Sequence, residues 1–199
     1  MPCIFFSYIL IVIREDIYFS SIHPSISIIH RASYLSSSRQ KKTQSPSALS
    51  YAMWALASSI SSTYSQYSEE LYESARKQQQ LLEKKSRYER RISMECIQAC
   101  TLLAWYDLAH GHFDSCWTSM SQAWRLFQIL NMRHPINHTA NSSLPSIDAV
   151  KKEERNRAFW VLFTLDRYAY MSQSLPTTIS ITDKQSVSFY LQICYRWFF

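Results

Sequence analysis

The sequence predicts an all-α domain, an antiparallel packing of five to seven helices, and three observations carry that prediction. The 199 residues contain a single glycine, too few for a turn-rich β domain. Hydrophobic residues make up 47% and aromatics 15%, enough for a substantial core. In the second half, apolar residues recur at three- and four-residue spacings, as one face of a helix requires.

The elements follow in chain order. Residues 1–16 hold an apolar run, Ile4 to Ile13, that stops at Arg14-Glu15-Asp16. A spanning helix needs about 20 such residues, so the run reads as a core helix and no membrane partner is expected. The stretch 36–48, SSSRQKKTQSPSA, is polar, basic and interrupted by Pro46, and reads as a linker or loop. Leu49 to Ile60 is a small-residue helix. Glu69 to Arg91 is a strong helix by propensity, and its seven Lys or Arg from Arg76 onward read as a solvated face.

Ser93 is an N-cap with Glu95 in the first turn, where the helix dipole favours negative charge. That helix runs to about Ala109, and Gly111 supplies the left-handed residue that ends it. A second helix, about Asp114 to Leu130, should fold back on the first as an antiparallel hairpin. Residues 131–147, with prolines and asparagines, read as a surface loop. Asp148 can cap a helix from Ala149 to about Tyr170, with Glu153 and Arg157 one turn apart in the favourable order. From Ala158 this helix is apolar all round, which predicts a central position. Pro176 ends the helical region.

Composition also excludes chemistry. One glycine cannot build a phosphate-cradling loop or a G-x-S-x-G nucleophile elbow. The net charge of +6 is compatible with nucleic acid but weak as a signal. Five cysteines without a C-x-x-C argue against a disulfide framework. Cys96 and Cys100 share a helix face with His110, His112 and Cys116 nearby; packing is favoured over zinc there. No metal or cofactor is expected in the chain. Asp166-Arg167 lacks an accompanying acid or histidine, so a structural pairing is expected: Asp166 or Asp107 meeting Arg125 across packed helices.

An ordered set of motif pieces carries a resemblance. These are Tyr18-Phe19 through His23-Pro24 to Ile28-Ile29-His30-Arg31, then Ala52-Met53-Trp54-Ala55-Leu56-Ala57. Gln98-Ala99 leads to Leu102-Leu103-Ala104-Trp105-Tyr106 and Gly111; Trp117, Ala123, Arg125-Leu126 and Leu130 follow. Glu154-Arg155, Phe159-Trp160 and Asp166-Arg167 complete the set. Together they resemble the fungal-specific transcription factor domain, the middle homology region of zinc binuclear cluster regulators, most closely the xylanolytic activator type. The expected Gly-Arg-Pro reads Ser174-Leu175-Pro176, while Pro-x-x-Ile survives as Pro176 to Ile179.

The resemblance implies a regulatory domain over residues 17–184 with a divergent tail, 185–199. It implies a non-enzymatic nuclear role in RNA polymerase II transcription. DNA and zinc would be bound through a six-cysteine cluster that this sequence does not contain. A homodimer and a small-molecule inducer are the further partners it admits. Its implied structural and regulatory core is Trp105, Gly111, Trp117, Arg125, Phe159, Trp160, Asp166, Arg167 and Pro176. A tetratricopeptide-like interaction scaffold is the alternative; it suits the hairpin but needs a 34-residue repeat, of which one copy is found.

Overall fold

A computed structural model describes residues 14–40, 46–89, 92–133, 147–173 and 176–179. The described residues are helical or irregular, with no strand among them. Residues 14–17 lead into a π-helical turn, Tyr18–Ile22. Six α-helices follow: α1 (Arg31–Gln40), α2 (Ala48–Ser59), α3 (Ser68–Glu89), α4 (Met94–Ala109), α5 (Phe113–Arg133) and α6 (Ile147–Gln173). A short 3-10 turn, Ser65–Tyr67, precedes α3.

The caps explain the boundaries. The Ser47 side chain accepts the Ser50 N–H and starts α2. Ser93 accepts the Cys96 N–H at 3.3 Å and starts α4, as its sequence suggests. At the far end of α4, the Gly111 N–H reaches the Leu108 carbonyl at 3.3 Å and the His112 N–H reaches the Asp107 carbonyl at 2.8 Å. These are the two bonds of a Schellman close, and Gly111 sits at φ +77°, where a side chain is strained. The chain reverses there, and α5 packs back along α4.

α4 is the centre of the domain, in contact with α2, α3, α5 and α6. α6 was expected in that place, and the structure corrects the expectation. Its apolar surface covers Ala158, Leu162 and Leu165, but Tyr168, Tyr170 and Met171 face solvent, Met171 being 77% exposed. Tyr and Met tolerate water better than Leu, so an all-apolar reading overstated burial. The main core joins the π turn, α2, α3, α4, α5 and α6. A second cluster, Ala104, Cys116, Met120 and Leu165, sits beneath Trp105 and Leu108.

Two expected loops are shortened. Residues 36–40 belong to α1, not to a linker, and α5 continues through Arg133. α1 is Ser-rich and weak by propensity. It is held instead by tertiary bonds: Tyr34 donates to Glu15 at 2.9 Å and its hydroxyl lies 3.2 Å from Ser50 Oγ. The apolar run 4–13, the tail 185–199 and residues 41–45 and 134–146 lie outside what the structure describes. Asp148, expected to cap the last helix from outside, instead falls within the first turn of α6, which already begins at Ile147. The tetratricopeptide alternative is not favoured, because one helical hairpin is followed by a single long helix.

Candidate regulatory core

The first constellation is built around Asp107, near the C-terminal end of α4 and fully buried. The Tyr72 hydroxyl on α3 donates to Oδ1 at 2.6 Å. Arg76, one turn further along α3, donates through Nη2 to Oδ2, through Nε to the Tyr72 oxygen at 2.9 Å, and through Nη1 to Ser119 Oγ on α5 at 2.7 Å. One guanidinium thereby binds three helices together. His112 Nδ1 lies 3.9 Å from Oδ1. Burial raises the Asp107 carboxyl above its usual range, against the opposing pull of the Tyr72 hydroxyl and of Arg76. Burial, reinforced by the bond to Asp107, pushes Tyr72 up to about 12.

The second constellation is Asp166-Arg167 on α6. Asp166 is 1% exposed, and its carboxylate accepts the Thr178 N–H at 2.7 Å and the Ile179 N–H at 3.4 Å. Arg167 donates through Nη2 to the Ile179 carbonyl and lies 3.5 Å from Asp166 Oδ2. Its guanidinium also lies 4.7 Å from the Phe163 ring centroid. The charged pair therefore clasps the backbone of residues 176–179, and Ile179 is fully buried beneath it.

A third set holds the irregular segment before α1. Gln98 on α4 donates to the Ile28 carbonyl at 3.1 Å, and His23 Nε2 bonds the Ile29 carbonyl at 2.7 Å. Glu154 on α6 lies near His30, and burial raises its carboxyl above the usual range against the opposing pull of His30 and Arg157. The motif pieces of the sequence thus interlock, Gln98 of α4 satisfying a backbone carbonyl that no helix can.

The expected core residues divide accordingly. Phe159 is buried, its ring 6.0 Å from Trp124 and 5.3 Å from Trp160. Trp105 covers the second cluster and meets Tyr168 edge-on at 5.8 Å. Gly111 makes the turn, and Pro176 opens the clasped segment while itself exposed. Trp117 is 36% exposed rather than core. Arg125 is exposed on α5 and is not the partner of either aspartate. Asp107 takes Arg76 instead, and Asp166 takes backbone.

Arg76 and Tyr72 are the residues that sequence reasoning missed. The sequence alone places Arg76 on the solvated basic face of its helix. The i, i+4 spacing of Tyr72 and Arg76, on the side of α3 that also carries Ala75, was the available signal.

The cysteines behave as packing. Cys96, Cys100 and Cys116 are free and buried, and burial pushes Cys96 up to about 11 and Cys116 up to about 12. No group of three or more His, Cys, Asp or Glu able to hold a metal occurs among the described residues. No described helix is long and apolar enough to cross a membrane.

Fold and site define an all-helical domain whose buried polar side chains close its own backbone and join its own helices. The chain belongs to the family described as the fungal specific transcription factor domain, which it matches over residues 16–190. It is similar to the citrinin biosynthesis transcriptional activator mrl3 of Monascus ruber, 32% identical over 83% of this chain and 33% of that protein. It is also similar to the ascochitine biosynthesis cluster transcriptional regulator of Didymella fabae, 32% identical over 83% of this chain and 29% of that one. The tropolone cluster transcription factor tropK of Talaromyces stipitatus is 29% identical over 85% of this chain and 30% of its own length. The chain spans about a third of the length of these relatives. No solved structure matches it. The family match extends to residue 190, past the boundary at 184 drawn from the sequence.

Proposed function

We propose that this chain is the regulatory domain of a nuclear, pathway-specific transcriptional regulator that controls a biosynthetic gene cluster. The observation that carries the reading is the similarity, over more than four-fifths of the chain, to activators and regulators of such clusters. The geometry supports a non-enzymatic role, since the two buried aspartates are both occupied by structural partners. DNA contact and zinc binding belong, on this reading, to sequence beyond these 199 residues. An inducer or a second copy of the chain would set the domain's activity.

Deleting the locus should lower transcripts of a contiguous set of biosynthetic genes; an unchanged transcript profile under producing conditions overturns the reading. The isolated chain should show no sequence-selective shift of DNA in gels across a salt series. Tight, selective binding would overturn the division of labour.

A further inference from the structure

A cavity of about 390 Å³ opens between the π-helical turn and the start of α1. It is lined by Asp16, Ile17, Phe19, Ser20 and Arg31. The volume lies within the range of small-molecule sites, roughly 300–1,000 Å³. Its chemistry is divided. Ile17 and Phe19 supply an apolar floor, Phe19 being 8% exposed. The Arg31 guanidinium lies 5.2 Å from the Phe19 ring centroid, within cation–π range. Asp16 is exposed and places a carboxylate on the same lining. Ser20 donates its hydroxyl to the Ile17 carbonyl at 3.2 Å.

Neither charged group belongs to the constellations above. The cation is not spent on a salt bridge to a described carboxylate, and it is held over an aromatic ring at the edge of an open site. An arginine in this setting offers two parallel N–H donors to a planar carboxylate. The ring beneath it is covered by the guanidinium and flanked by Tyr18, His23 and Tyr34, so it offers the site an apolar edge beside Ile17 and not an open face. The acid on the lining accepts a hydrogen bond from a hydroxyl but repels a second negative charge.

We propose that this cavity binds a small monoanionic aromatic molecule, with its carboxylate on Arg31, its ring against Ile17 and the edge of Phe19, and a hydroxyl donating to Asp16. That its occupancy sets transcriptional activity rests on the regulatory reading above; the binding itself does not.

The test uses the full 199-residue chain with 6-hydroxy-2-naphthoate, 2-naphthoate and 2-naphthol as probes, followed by amide chemical shifts. Saturable shifts are expected at Ile17, Phe19, Ser20 and Arg31 with the hydroxy acid. Arg31→Gln should weaken the hydroxy acid about tenfold or more, the scale of one lost charged contact. 2-Naphthol, without the carboxylate, should bind equally to both proteins. Asp16→Asn should leave 2-naphthoate bound as tightly or more tightly, because a like charge is removed. Both substituted side chains are exposed, so both variants should fold, and unchanged binding of 2-naphthol checks that they do. Equal binding of the hydroxy acid to Arg31→Gln, or shifts confined to another surface, would sink the site. Loss of binding with cluster transcription still dependent on the locus would reject the site and leave the regulatory reading standing.

Discussion

Asp107 and Asp166 lie equally far from solvent, each with an arginine at hand, yet their partners differ in kind. Asp107 is met by side chains from another helix, and its guanidinium partner continues to a third. Asp166 is met by backbone N–H groups only 12 and 13 residues further on, and Arg167 answers with the carbonyl of the same segment. The first arrangement fixes how helices cross. The second ties down a short length of chain that has no helix of its own. A buried carboxylate needs compensation in either place, but its removal leaves different things behind.

The sharpest way to break the comparison is Asp107→Ala. It strands Arg76 and Tyr72 between three helices, and denaturant unfolding should show a loss of about 3–5 kcal/mol. The double variant Asp107→Leu with Arg76→Met should lose less than Asp107→Ala alone, because both charges go together. If the double variant is the worse of the two, the network is a true source of stability and not a compensated burial.

Asp166→Ala should cost less, about 1–3 kcal/mol, since the freed N–H groups of residues 178 and 179 can turn to water. Amide exchange at Thr178 and Ile179 should accelerate while the α4 amides stay protected. Protection lost evenly across both would make the clasp part of the global core.

Gly111→Ala tests the turn that brings α4 and α5 together. The added methyl meets only Phe113 at 4.0 Å, so its effect is the left-handed backbone alone, about 1–2 kcal/mol. Glu153→Ala sets the floor. Its 2.9 Å bond to Arg157 is an i, i+4 pair on a part-exposed face, and thermal melts should register about 0.3–0.5 kcal/mol.

Features governed by local chemistry were legible in the sequence. Ser93 and Gly111 bound α4 because capping is decided within four residues. Glu153 and Arg157 pair because helix pitch brings them together. What failed depended on how helices cross. Arg125 and Arg76 are equally good cations on paper, and only the packing of α3 against α4 and α5 selects Arg76. The partners of Asp166 are backbone groups, which have no residue identity to read; Pro176-x-x-Ile179 was their only trace. α1 was missed because its serines speak for a loop while Tyr34, Glu15 and Ser50 hold it as a helix.

Asp107 serves the molecule through two of its parts. Its carbonyl receives the His112 N–H that closes the Gly111 turn, and its carboxylate receives α3. The order of assembly follows. The α4–α5 turn closes over a few residues, whereas α3 is recruited across 31 or more, so the hairpin sets the socket before α3 arrives. In a folding experiment, Gly111→Ala should slow refolding, and Arg76→Ala should chiefly hasten unfolding. Swapped effects would mean that α3 docks first.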